Sequence, residues 1–460
     1  MNADSHRAHS ARQRLGALLG IFAVIASASL AHADSLRFRD GERVEGRLLS
    51  IRSDRIQFRP EGEPSLTIPL EEVGAVLLST RTTNDLVRPA NRIELSGQQS
   101  ISGRLVGMDR SRVTLDTGYA RDINVPRSEV KTIRWTGQRS GVHYEGPYPT
   151  NEWYISSSLN TDTKQFDPSW IFRDGYFLSQ GKGTLSVDCG MPIKARIEFD
   201  LYWKNAPRFR LACYARDLVS YSESEGYHFY SSGNGKVFAI TRGREPGQAI
   251  QVPKGIVPQM TNTNHVHFDL RLNSQDGEGW LFANGREIKR WTDLGYSGSG
   301  MGIMFYTYRS NTRIAVGNLR VSEWDGRSTV ESRQSKAATS VLFRNGDRHA
   351  ADDIVVESDR LKFAFEDQSI EIPMNRVAEI NQRIVKRMEK SNDADSWVQF
   401  MHGDWLQAQI LDWNSKRVVW RSPLLGRQES KPHQIRGVHF TEEKPVLDLS
   451  WYLPKNPIRQ

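Results

Sequence analysis

Residues 279–288 read Gly-Trp-Leu-Phe-Ala-Asn-Gly-Arg-Glu-Ile. Two strand-like runs meet there at Asn284-Gly285, a pair that tolerates the positive φ angles of a two-residue hairpin turn. Period-2 alternation continues outward on both sides, through Asn264–Asn273 upstream and Met301–Tyr308 and Ile314–Trp324 downstream. Further back the same reading gives Trp170–Leu178, Gly183–Cys189, Ala195–Trp203, Phe209–Ala215, Gly226–Tyr230 and Lys236–Thr241. With Gly279–Ala283 and Glu287–Trp291 this makes roughly eleven short strands without helical periodicity, so residues 150–325 are predicted to form a two-sheet sandwich.

Alternation also sorts side chains by face. Ile197, Phe199, Leu201 and Trp203 point one way, and Glu198, Asp200 and Tyr202 the other. The same rule sets His265, His267, Asp269 and Arg271 against Val266, Phe268, Leu270 and Leu272. Arg210, Tyr214 and Arg216 oppose Phe209, Leu211 and Cys213; His228 and Tyr230 oppose Tyr227 and Phe229; Tyr306 and Tyr308 oppose Phe305. If the strands are neighbours, Glu198, Asp200, Tyr202, Arg210, Tyr214, Arg216, His228, Tyr230, His267, Asp269, Arg271, Tyr306 and Tyr308 converge on one ligand-binding hollow. Aromatic rings offer faces to sugar C–H groups, and Arg, Asp and His supply charged hydrogen bonds. An ordinary wet outer face is the plainer reading of the same alternation.

The run Gly279–Ile288, with the closing strands Gly300–Phe305 and Ile314–Val321, resembles the hairpin of concanavalin A-like lectin/glucanase jelly rolls. The stretch also resembles laminin-G-like and 3-keto-disaccharide hydrolase-like domains. The resemblance implies a jelly roll that binds or processes carbohydrate on its concave sheet. The glucanase branch carries Glu-x-Asp-x-(x)-Glu on one strand; here Glu198-Phe199-Asp200 begins that pattern, but Tyr202 and Trp203 stand where its last Glu is expected. No catalytic residue is therefore assigned. His265-x-His267 lacks a third ligand, so neither a metal nor another cofactor is expected.

A second pattern flanks the sandwich. Leu36–Leu78 and Ile93–Trp135 share an ordered series: Gly41 or Gly97, Gly46-Arg47-Leu48 or Gly103-Arg104-Leu105, Ile68-Pro69 or Val125-Pro126, and a Glu-Val pair. Arg47 and Arg104 are 57 residues apart, as are Gly346 and Gly403 in the copies Val341–Ile380 and Val398–Phe440. The fourth copy is the most degenerate, with Pro432 displaced. Each copy reads as a small five-stranded barrel, and the pattern resembles the Sm-like and Src-homology-3-like barrels of bacterial envelope proteins. The expected fold is all-β: two small barrels (34–79 and 90–136), the sandwich (150–325) and two more barrels (340–382 and 397–441). One copy buries little, so pairing within 36–135 and within 341–440 is expected. The shared glycines are read as turn residues with positive φ. Linkers are placed at Ser79–Pro89, Thr136–Thr150, Asp325–Thr339 and Arg383–Ser396.

Residues 1–33 read as an export signal: Arg7, Arg12 and Arg14 precede the 16 uncharged residues Leu15–Leu30, and Ala31-His32-Ala33 closes them. The net charge is +8 with Lys and Arg interspersed among Asp and Glu, so no basic block marks a nucleic-acid surface. A periplasmic or extracellular protein, soluble once its signal is cleaved, is expected, with a glycan or an envelope protein as partner. Cys189 and Cys213 form one disulfide or remain two buried thiols. The leading functional expectation is a non-catalytic recognition or scaffold protein. A carbohydrate-active hydrolase or lyase comes second. A purely structural envelope component gains if Tyr214, His267 and Arg271 do not share a concavity.

Overall fold

The computed structural model describes residues 33–445 except 53, 80–88, 121–122, 136–140, 148–151, 160–165, 174, 233–236, 243–254, 261–262, 294–299, 325, 327–338, 345–346, 366–367, 383–395 and 402. The export leader lies outside the described residues, as do most of three linkers and the turns at Asn234-Gly235 and Asn345-Gly346. The described residues are strands joined by turns and short 3-10 segments, all-β as expected.

The sandwich is present. One sheet runs Trp170–Arg173, Tyr176–Ser179, Ile314–Glu323, Lys194–Trp203, His265–Asn273, Glu278–Ala283, Arg286–Thr292. The other runs Tyr154–Ile155, Gly183–Asp188, Gly302–Thr307, Arg210–Ala215, Tyr227–Ser232, Val237–Arg242, Gly255–Ile256. Their inner faces meet through Phe199, whose ring centroid lies 5.3 Å from both Phe268 on its own sheet and Phe305 on the other. Asn284 and Gly285 take φ values of 49° and 76°, the hairpin expected between Glu278–Ala283 and Arg286–Thr292. The stretch assigned to a linker at 136–150 contains the strand Val142–Gly146, which pairs with Ile314–Glu323. The chain thus enters and leaves the sandwich side by side.

Each repeat folds as five main strands, with the first paired to the last: Asp34–Phe38 with Val73–Leu77, Asn91–Leu95 with Val130–Trp135, Thr339–Phe343 with Val377–Gln382, and Trp397–Phe400 with Ile435–His439. A single 3-10 turn precedes each last strand. Pro69, Pro126 and Pro373 open three of these turns at φ between −56° and −63°, values the pyrrolidine ring imposes. In the fourth repeat Pro432 lies inside the turn instead.

Two expectations fail here. The repeats do not pair as first-with-second and third-with-fourth. Val73–Leu77 pairs with Ile435–His439, and Val130–Trp135 pairs with Val377–Gln382. First joins fourth and second joins third, nested around the sandwich. Each repeat uses one edge of its last strand internally and leaves the other edge unpaired, and an equivalent edge satisfies it in a self-complementary contact. The four repeats then share one hydrophobic core that includes Ile51, Ile93, Ile133, Ile380, Phe400, Trp413 and Trp420. We call this four-repeat body the base. Secondly, Gly41, Gly97 and Gly403 do have positive φ, but Gly46 and Gly103 are needed for a different reason. A Cβ on Gly46 would lie 2.1 Å from the Arg59 carbonyl, and one on Gly103 2.6 Å from the Asp116 carbonyl. The next strand crosses too closely for any side chain.

Candidate functional site

The outer face of the first sheet carries a grid of ionisable side chains. Lys194–Trp203 and His265–Asn273 set Glu198 opposite Asp269, Asp200 opposite His267 and Tyr202 opposite His265. Arg196 holds Asp269 with two hydrogen bonds of 3.1 and 2.9 Å and lies 2.9 Å from Glu198. Arg271 donates to Asp269 at 3.0 Å and covers the Phe282 ring. Asp200 accepts from His267 Nδ1 at 2.8 Å and from Asn318, and lies 3.3 Å from His265 Nε2. Asn318 reaches it because a bulge in Ile314–Glu323, with φ of 48° at Asn318, turns that side chain outward. Tyr202 stacks on His265 with centroids 4.3 Å apart.

Part of this face packs against the base, through Ala75 and Leu77 on Leu178, Ala315 and Tyr202. Arg134 donates to Glu379 across the second-to-third repeat seam and to Glu94, both at 2.8 Å. Arg320 of the sandwich approaches Glu379 at 3.8 Å. A cavity of about 180 Å³ remains between the two bodies, lined by Arg92, Glu94 and Arg134 from the base and by Glu198, Asp200, His267, Asn318 and Arg320 from the sandwich, among others. Sequence reasoning missed Arg92, Arg134, Arg320 and Glu379. The repeat pattern did not single out Arg134, because the equivalent positions are Leu77, Asn381 and His439.

The outer face of the second sheet holds the other expected residues. One row across four paired strands reads Thr184, Tyr306, Arg210, Tyr230, and the next reads Ser186, Met304, Ala212, His228. The Arg210 guanidinium lies 5.4 Å from the Tyr221 ring and 5.3 Å from the Tyr308 ring. Tyr221, from the loop after Ala215, stacks on Tyr306 at 5.3 Å and 15°, and packs on His228 at 4.4 Å. Burial lowers the His228 pKa to about 4, so this ring is neutral above that pH.

The expected residues therefore do not converge in one hollow. Glu198, Asp200, Tyr202, His267, Asp269 and Arg271 lie on one outer face, and Arg210, His228, Tyr230, Tyr306 and Tyr308 on the opposite one. Tyr214 lies on neither. A bulge between Cys213 and Ala215, with φ of 58° at Tyr214, slips the alternation by one residue and turns the ring into the core. Its hydroxyl donates there to the carbonyls of Pro192 and Ile193 at 3.0 and 2.9 Å. Arg216 follows the strand and lies 3.9 Å from Glu225 on the surface. Tyr214, His267 and Arg271 share no concavity. Cys189 and Cys213 are free, buried thiols. Burial pushes Cys189 up to about 12, and its thiol donates to the Met301 carbonyl at 3.3 Å. Among the described residues no group of three or more His, Cys, Asp or Glu is arranged to hold a metal.

The His267–Asp200 pair makes stability pH-dependent. Burial disfavours both charges, but the hydrogen bond and mutual attraction outweigh it, raising His267 and holding Asp200 well below the usual carboxylate range. A histidine raised on folding contributes stability that is fully present below about pH 6.5 and is lost as pH rises through the raised value. Urea midpoints measured from pH 6 to 9 are expected to fall across that window. His267→Gln should flatten the fall; an unchanged slope would contradict this account.

No protein-family model matches the chain, and no curated protein matches it. Solved structures do. A carbohydrate binding module from Bacillus subtilis is 13% identical with a TM-score of 0.28, covering 38% of this chain and 100% of its own. A galectin-like-fold protein of unknown function from Bacillus subtilis is 13% identical with a TM-score of 0.28, covering 40% and 97%. The beta-glucanase of Bacillus licheniformis is 10% identical with a TM-score of 0.29, covering 41% and 100%.

Proposed function

We propose that this chain is an exported recognition protein whose sandwich binds carbohydrate on the outer face of its second sheet. The observation that carries this reading is the Arg210 guanidinium set between Tyr221 and Tyr308, with Tyr306 stacked beside them. The half-buried Tyr306 and Tyr308 rings beside Arg210 give apolar faces to sugar C–H groups, and a guanidinium held between rings keeps donors free for hydroxyls. The base packs on part of the first sheet, and the second sheet is the face this reading gives to a polymer or a cell-surface partner. The base, built of repeats that resemble Sm-like and Src-homology-3-like barrels, positions the sandwich in the periplasm or outside the cell. Glycan-array binding without turnover is the expected result for the chain from residue 34 onward. Tyr308→Ala should weaken that binding about threefold to tenfold, and Arg210→Ala at least as much. No glycan bound, or binding indifferent to both changes, would leave the purely structural role that the separation of Tyr214, His267 and Arg271 favours.

A hydrolase or lyase is the second reading. It draws on His267, whose Nδ1 donates to Asp200 at 2.8 Å while its Nε2 lies 4.0 Å from Glu198 at the cavity. Product release from disaccharides would support it.

A further inference from the structure

The cavity between base and sandwich is left with unused cationic donors. Four carboxylates line it: Glu94 accepts from Arg134 at 2.8 Å, Glu198 lies 2.9 Å from Arg196, Asp200 is held by His267 and Asn318, and Glu145 is the fourth. The Arg92 side chain has no hydrogen bond or ion pair among the described residues, although it is half-buried and lines the cavity. Arg320 approaches Glu379 only at 3.8 Å, and its buried Nε has no acceptor. One of these guanidiniums belongs to the base and the other to the sandwich. Lys444, from the segment after the last strand, adds a further cation, its pKa lowered to about 8 by burial and then by the Arg92 charge. A buried donor without an acceptor is costly, and guanidinium forks fit carboxylates in planar, charge-assisted pairs.

We propose that this cavity is a second site, which binds a small sugar acid of hexuronic type, its carboxylate on Arg92 and Arg320 and its hydroxyls on Glu198 and Asn318. The volume of about 180 Å³ lies below the roughly 300–1,000 Å³ of sites for drug-sized ligands, which restricts the occupant to about one sugar ring. Because the lining is drawn from both bodies, the ligand joins sandwich to base. The site is separate from the second-sheet face and does not depend on it.

Titration calorimetry on the chain from residue 34 onward tests this with glucuronate and galacturonate, against glucose and inorganic phosphate. A uronate should bind, and glucose should bind at least about tenfold more weakly, as expected when a charge-assisted pair is lost. Arg92→Gln should weaken uronate binding by a similar factor with an unchanged urea midpoint, since the Arg92 side chain has no partner to lose. Arg320→Lys, which keeps the charge and removes the fork, should also weaken it. Tyr308→Ala should leave it unchanged, which separates this site from the glycan face. Equal affinity for glucose and glucuronate, phosphate binding as tight as either uronate, no uronate binding, or indifference to Arg92→Gln would each overturn the proposal.

Discussion

Glu379→Ala is expected to lower the unfolding free energy by about 3–5 kcal/mol, the range for removing one member of a buried charge cluster. Glu379 is buried in the last strand of the third repeat. It accepts from Arg134 Nε at 2.8 Å and lies 3.4 Å from Arg348 and 3.8 Å from Arg320. Burial alone would raise its pKa; the three guanidiniums outweigh that and hold it ionised well below the usual carboxylate range. Without it, three cations face one another at the point where second repeat, third repeat and sandwich meet. Glu94→Ala makes the natural comparison, because Glu94 also binds Arg134 but is 39% exposed. Exposed pairs contribute about 0–1 kcal/mol. Urea denaturation of both variants should show this gap, and equal effects would refute the hub role of Glu379.

Ending the chain at Trp324 is expected to abolish folding of the first two repeats while the sandwich survives. Truncation removes the partners of Val73–Leu77 and Val130–Trp135, and with them the third- and fourth-repeat side of the shared core. Two repeats of this size, with open strand edges and half a core, fall below what a small domain can sustain. Limited proteolysis should clip residues 34–135 quickly and leave 142–324 protected. Protection of 34–135 would mean that the tandem neighbours form a stable pair after all.

Much of the architecture was legible in local sequence. Asn284-Gly285 specified a hairpin because few other residue pairs adopt two consecutive positive φ angles cheaply. The 57-residue spacing marked equivalent units because each repeats the same order of turns, and three of the four carry the same proline before the last strand. Site residues were legible only in part. Glu198, Asp200, His267 and Asp269 were placed on one face correctly, since nothing interrupts the alternation of their strands. Tyr214 was misplaced because a single-residue bulge slips the alternation at that position, and neither that bulge nor the one at Asn318 has a local sequence mark.

The amino-acid order alone settled what depends on neighbours a few residues apart: the strand pattern, the turn positions, the repeat units and the division between inward and outward side chains. Only the tertiary structure decided which repeat edge pairs with which, that one sheet of the sandwich packs in part against the base, and that Arg92 and Arg320 face one cavity. Those choices depend on complementarity between edges and faces hundreds of residues apart. Several pairings satisfy the same local pattern, and only the packed whole distinguishes among them.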